Sequence, residues 1–215
     1  NMDEILKKLS FSPFFTTSDV VAFLPHLKKD SIYHKITRWL KKGEIIKLKK
    51  GFFVAERYKD RHIGDSAFIA FLANALRRPS YVSGVYVLQS RGVMVEATYP
   101  ITSITTKATR SYANNWREFV YYSIAPRLYT GYNRSFYIDQ PVYIATLAKA
   151  LFDYFYIKYS KTRFSASNIL ARERLNLDMF NTKDVKEFKG FCELSRNKVL
   201  IELSKKLFLK KYQNE

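Results

Sequence analysis

The stretch from Lys28 to Val54, KKDSIYHKITRWLKKGEIIKLKKGFFV, decides the fold that the sequence predicts. Its first half places Ile32, Ile36, Trp39 and Leu40 at the spacing of one buried helical stripe. Gly43 follows, a residue that commonly ends a helix because it adopts the left-handed conformation without strain. Two apolar runs on either side of a lysine-rich turn then predict paired strands. The stretch therefore predicts a basic helix followed by a β-hairpin.

Two shorter helices are predicted ahead of this stretch. Ile5, Leu6 and Leu9 lie on one side of a first helix, and the cluster of capping residues at 16–19 precedes a second apolar segment. Three helices followed by a hairpin is the order of a winged helix-turn-helix, which we predict over residues 1–58. Such a domain presents its third helix to the major groove of DNA.

The charge of the stretch indicates a nucleic-acid ligand. From Lys28 to Lys50 there are nine lysine or arginine residues, against Asp30 and Glu44 as the only acidic ones. An ordinary solvated helix face is the alternative interpretation. The scarcity of acidic residues and the basic turn of the hairpin favour contact with nucleic acid.

The predicted DNA contacts fall into two groups. Lysines before the helix and around the hairpin turn would hold phosphates, while the exposed side of the helix would reach base edges. Arg38 is best suited to pair with guanine, and Tyr33 would contact the backbone or pack beside the core. The predicted set is Lys28, Lys29, Lys47, Lys49 and Lys50 for phosphates, Ser31, His34, Lys35 and Arg38 for bases, and Tyr33 and Lys41 beside them.

Positive charge continues through the rest of the chain. Of the formal net charge of +18, residues 1–60 contribute +6 (13 basic less 7 acidic) and the other 155 residues contribute +12 (24 less 12). This charge favours DNA, RNA, an acidic protein or an anionic membrane. No apolar run approaches the ~20 residues that span a bilayer, so we expect no membrane attachment. The absence of a visible signal peptide and the lone Cys192 predict a cytoplasmic protein.

The remaining sequence predicts a larger mixed α/β domain over residues 62–215, ending in a helical region, so the whole chain is predicted to be α+β. Residues 57–61 would form either a linker or an ordered connection. A helix is predicted over residues 81–89 with Ser83 as its N-cap. Strands are predicted between Met94 and Asp139, and Pro141 is predicted to open a long helix.

Three segments in a fixed order resemble the antitoxins of AbiE-type abortive-infection systems, which are predicted transcriptional regulators linked to viral defence. They are LKKGEIIKLKKGFFV at residues 40–54, YVSGVYVL at 81–88 and IATLAKALFD at 144–153. The resemblance extends to about Tyr159. It implies that the winged helix represses its own operon and that the second domain neutralises a nucleotidyltransferase-like toxin. Because one winged helix binds weakly, we expect a homodimer or two copies on an inverted repeat of double-stranded operator DNA.

Tyrosine and arginine crowd residues 110–137. These residue types dominate contacts with partner proteins and with single-stranded nucleic acid, but they also suit the rim of a two-layer core. If this region binds a partner, the predicted contact residues are Arg110, Arg127, Tyr129, Tyr132 and Arg134.

Groups suited to catalysis are sparse. The three histidines, at positions 26, 34 and 62, are not at metal-ligand spacing, and neither nucleotide-binding glycine motif occurs. Asp139 and Asp153 could hold Mg²⁺ for a nuclease, but 14 residues (153 less 139) along one helix span about 21 Å. We therefore predict no enzyme, no metal and no cofactor. The alternative is a nucleic-acid-processing enzyme or an RNA-binding protein that uses the basic second domain.

Overall fold

The computed structural model describes residues 3–95 and 100–209, which fold as an α+β protein, as the sequence predicted. The helices in this part of the chain are α1 (Glu4–Leu9), α2 (Thr17–Phe23), α3 (Lys29–Lys41), α4 (Glu56–Arg61), α5 (Ser66–Leu76), α6 (Val85–Ser90), α7 (Leu147–Tyr159), α8 (Ala166–Leu170), α9 (Thr182–Ser195) and α10 (Lys198–Lys206). The strands are β1 (Phe15–Thr16), β2 (Ile45–Lys49), β3 (Phe52–Ala55), β4 (Tyr81–Val82), β5 (Ile101–Thr105), β6 (Arg110–Ala113), β7 (Glu118–Ser123), β8 (Tyr132–Tyr137) and β9 (Gln140–Ala145).

The N-terminal unit, residues 3–55, contains three helices and a three-stranded antiparallel sheet in the order β1-β3-β2. Helix α3 buries Ile32, Ile36 and Trp39 of the predicted stripe, whereas Leu40 is only partly buried against the core. The chain leaves α3 through Gly43, whose φ of 68° suits a residue without a side chain. The β2–β3 hairpin follows directly, so α3 and the hairpin are held side by side.

A six-stranded mixed sheet in the order β6-β7-β5-β4-β9-β8 organises the rest of the chain. Helices α5 and α7 cover its two faces. Along β8, Tyr137 contacts Phe68 on α5, whereas Tyr132 stacks on Tyr81, whose hydroxyl donates to Asp153 on α7. Because side chains alternate along a strand, Tyr132 and Tyr137 point to opposite faces.

Two predicted helices are wrong at their N-terminal ends. Pro141 lies in strand β9, and α7 begins only after Thr146, whose side chain accepts a hydrogen bond from the amide of Lys149. Strand β4 reaches β9 at Ile144 only, so Pro141 is not required to donate a hydrogen bond to β4. Residues 81–82 form β4, and α6 follows Gly84, so Ser83 is not an N-cap. Pairing between distant strands overrides the local helical pattern in both places.

The charged connection at residues 57–61 is ordered. It belongs to α4, where Tyr58 is buried and its hydroxyl lies 2.7 Å from the hydroxyl of Tyr137 on β8. His62 stacks on Tyr58 with ring centroids 4.3 Å apart. One hydrophobic core runs from the N-terminal unit through this helix to the large sheet. No helix formed by the described residues is long and apolar enough to cross a membrane.

Candidate nucleic-acid interface

The exposed side of α3 displays polar and basic side chains opposite its buried stripe. Successive residues turn about 100° around a helix, which places His34 and Lys41 almost directly opposite Ile32 and Ile36. Ser31, His34, Arg38 and Lys41 are all exposed, and the Arg38 side chain retains 59% of its accessible surface. The exposed residues Asp30, Thr37 and Lys42, which the sequence analysis did not include, lie on or beside the same side. Tyr33 is 56% exposed, so it is not part of the core.

Lys35 lies at the edge of this exposed side and is engaged by α1. Its ammonium forms an ion pair with Asp3, the N-cap of α1, and lies 5.6 Å from the centre of the Trp39 ring. Burial raises the pKa of Asp3, but the hydrogen bond from Lys35 and those from backbone amides outweigh burial and lower it. A guanidinium nitrogen of Arg38 is 3.8 Å from the same carboxylate. Lys35 therefore connects α3 to α1 and is not free to make the base contact that the sequence predicted.

The lysine side chains of the hairpin point in two directions. Lys47 and Lys50 are exposed, as are Lys28 and Lys29 before α3. Lys49 is turned the other way, because its ammonium donates to the carbonyl of Leu76 and lies 4.1 Å from the centre of the Phe52 ring. The structure therefore corrects the predicted place of Lys49, which packs against the large sheet instead of lying on the free surface of the hairpin.

The predicted partner-binding residues do not form one surface. Tyr129 and Tyr132 are half-buried, and their ring centroids lie 5.1 and 4.7 Å from that of Tyr81. Arg127 is exposed and donates to the carbonyl of Ser195 at 3.2 Å. The two tyrosines belong to the rim of the core, which was the alternative interpretation.

The other two predicted arginines occupy opposite edges of the large sheet. Arg110 is exposed on β6, and Arg134 is exposed on β8. Arg134 lies 5.4 Å from the centre of the Phe136 ring, and Phe136 itself is 57% exposed. The edge strand β8 therefore retains a basic and aromatic surface.

A buried ion pair that the sequence analysis did not predict lies between α7 and β4. Lys149 donates to one carboxylate oxygen of Asp153 at 2.6 Å, and both side chains are fully buried. Ser83 at 2.6 Å and Tyr81 at 3.0 Å donate to the other oxygen. Burial raises the pKa of Asp153 and lowers that of Lys149, while each group's partner opposes the effect of burial. Ser83 and Asp153 lie in two of the three segments that carry the family resemblance. Their place in those segments was the sequence signal that could have predicted this contact.

The two carboxylates considered for a metal are not neighbours on one helix. Asp139 is exposed in the turn between β8 and β9, with a left-handed φ of 59°, whereas Asp153 is buried in α7. Within residues 3–95 and 100–209 no group of three or more histidine, cysteine or acidic side chains is placed to hold a metal ion. Burial raises the pKa of Cys192 to about 12, so this thiol is protonated at neutral pH.

The chain matches no protein-family model, and no curated protein matches it.

Proposed function

We propose that the N-terminal unit is a winged helix-turn-helix and that the protein is a DNA-binding transcriptional regulator. The observation that carries the proposal is the exposed, basic side of α3 beside a hairpin with exposed Lys47 and Lys50. The buried stripe of α3 fixes this side outward, so its cations are available to a ligand. An α-helix of this width fits the major groove, where each base pair presents a distinct pattern of donors and acceptors.

The exposed groups divide between affinity and sequence preference. Arg38 would donate two hydrogen bonds to a guanine edge, with Ser31 and His34 on neighbouring bases. Lys28, Lys29, Lys41, Lys47 and Lys50 would hold phosphates, and Tyr33 would lie along the backbone. Asp3 supports this assignment, because it engages Lys35 fully and lies near one side of Arg38. It would orient the guanidinium while leaving most of that group exposed.

The resemblance to AbiE-type antitoxins extends the proposal beyond DNA. The protein would repress its own operon in the cytoplasm as a homodimer or as two copies on an inverted repeat. Its second unit would neutralise a nucleotidyltransferase-like toxin. The exposed strand β8 supports a protein partner, since an edge strand offers unpaired backbone groups and Phe136 offers an apolar anchor.

Fluorescence anisotropy tests the DNA-binding proposal. The protein would be titrated onto duplex DNA from upstream of its own gene, with a scrambled duplex of equal length as control, across a range of salt concentrations. We expect a preference of about 10³-fold or more for the upstream duplex at physiological salt. Equal binding that collapses as salt rises would show a phosphate-binding surface without sequence preference and would contradict the proposal.

Co-purification tests the antitoxin part separately. The protein would be expressed with the product of the neighbouring gene, and Phe136→Ala would be compared with wild type. We expect a complex that the substitution weakens, while DNA binding is unchanged. DNA binding without a complex would support the regulator and contradict the antitoxin role.

A further inference from the structure

The turn of the hairpin is docked on the large sheet. Lys49 donates to the carbonyl of Leu76, the last residue of α5, whose carbonyl has no partner within its own helix. The ammonium also lies 5.6 Å from the centre of the Tyr112 ring on β6. The hairpin therefore ends where α5 and the sheet edge meet, with Lys50 exposed beside this junction.

Three cations converge at the junction, and we call Lys49, Arg77 and Lys107 the junction cluster. Arg77 follows Leu76, and Lys107 lies in the loop between β5 and β6, which Arg77 anchors by donating to the carbonyl of Ala108 at 2.5 Å. Burial lowers the pKa of Lys49; the nearby Tyr112 hydroxyl opposes this effect, and the charges of Arg77 and Lys107 add to it. None of the ion pairs formed within residues 3–95 and 100–209 includes a member of the cluster.

Arg77 also has an unsatisfied donor. Its Nε–H is buried and meets no acceptor among the described residues. A buried donor of a charged group without an acceptor is unfavourable, and a charged acceptor forms the strongest hydrogen bond with it. Lys107 is exposed at the same place, so a ligand can approach from solvent. An anion at this place would therefore neutralise the repulsion among the three cations.

We infer that the junction cluster binds a backbone phosphate of the DNA that α3 contacts, so that the large sheet extends the DNA-binding surface. The inference rests on the proposed function. In that mode the hairpin turn lies along the DNA backbone, and Lys49 of the cluster directly precedes the exposed Lys50 of that turn. Arg77 and Lys107 would supply the contact, with Lys49 holding the hairpin turn against them.

The test is Lys107→Ala, since Lys107 is exposed and its loss leaves no buried group unpaired. The matched control is Lys189→Ala, an equal loss of charge on α9, which packs on α7 at the opposite face of the sheet. We expect Lys107→Ala to weaken binding to the upstream duplex and to the scrambled duplex by the same factor. It should also reduce the slope of log K against log salt by about 0.9, the value for one phosphate contact. The control should leave both quantities unchanged.

Arg38→Ala separates this inference from the proposed function. If Arg38→Ala weakens binding to the upstream duplex while Lys107→Ala behaves like the control, α3 binds DNA and the junction cluster does not. If neither variant changes binding, both proposals are wrong. An RNA duplex of equal length, bound more tightly than DNA and released by Lys107→Ala, would overturn the assignment of the phosphate to DNA. Arg77→Gln, checked for folding by circular dichroism, should reproduce the weakening because it removes one of the three positive charges.

Discussion

The Arg38 side chain is exposed and lies near one carboxylate. Its guanidinium projects from the middle of the exposed side of α3, and the Asp3 carboxylate lies 3.8 Å from one nitrogen. A planar guanidinium can pair with one guanine edge through two hydrogen bonds, and Lys at the same position could not make the same paired contact.

We predict that Arg38→Ala costs about 1–3 kcal/mol of binding free energy on the specific duplex and relaxes the preference for one base pair. Anisotropy on a set of duplexes with single base-pair changes would measure both effects. Lys47→Ala is the matched comparison, because loss of an exposed lysine that contacts phosphate should weaken binding to all the duplexes equally. A uniform loss across the set for Arg38→Ala would assign Arg38 to phosphate instead.

The opposite charges of Lys149 and Asp153 neutralise each other inside the protein. Removing Lys149 alone would leave a charged carboxylate fully buried, with Ser83 and Tyr81 as its only donors among the described residues. We predict that Lys149→Met lowers the free energy of unfolding by about 3–5 kcal/mol, measured by urea denaturation. Adding Asp153→Asn should recover part of the loss, because the amide is neutral and its oxygen still accepts from both hydroxyls. No recovery in the double variant would show that the lost packing of Lys149 dominates.

At the scale of single elements, Glu173 connects α7 to the segment after α8. It accepts hydrogen bonds from Lys158 at 2.8 Å, from Tyr154 at 2.6 Å and from Tyr159. Burial raises the pKa of Glu173, but these donors outweigh burial and lower the pKa below its ordinary value. The charged form is therefore the one that stabilises this contact.

We predict that Glu173→Gln lowers the urea midpoint at pH 7. A lowered pKa means that the stabilisation is complete above the ordinary value of 4.5 and disappears as pH falls through the folded-state value. The midpoints of wild type and variant should therefore converge as the pH is lowered from 7. Glu202→Gln is the control, because its pair with Lys206 is exposed and should contribute little. A difference between the two urea midpoints that stays constant with pH would show that the charge of Glu173 does not cause it.

At the scale of the whole molecule, α4 joins the two units through aromatic contacts. Tyr58 is buried, shares a hydrogen bond with Tyr137 and packs on Phe68 with ring centroids 5.2 Å apart. Lys49 adds a second connection at the hairpin turn. These contacts hold α4 and the hairpin turn against the large sheet.

We predict a single cooperative thermal transition for the wild-type protein, since one core crosses both units. Tyr58→Ala should destabilise the protein by about 3–5 kcal/mol, the range for removing a large buried aromatic, and should separate the transition into two. Scanning calorimetry would resolve them, with exposed Tyr33→Ala as the control. Two transitions already present in the wild type would show that the units fold independently.

Local sequence determined the elements whose residues contact mainly their own neighbours. The stripe of α3, the Gly43 stop and the hairpin all follow from spacing and turn chemistry over a few residues. Those same patterns placed the exposed basic side of α3. The α+β class also followed from the change of pattern along the chain.

Only the tertiary structure decided which way particular side chains turn and which partners they meet. Lys49 is directed to Leu76, 27 residues away, and Ser83 meets Asp153 across 70 residues. The start of α7 was displaced because β9 pairs with β8 and β4, and these contacts outweigh the helical preference of residues 141–146. Such contacts depend on distances between segments that are far apart in the chain, which no local periodicity contains.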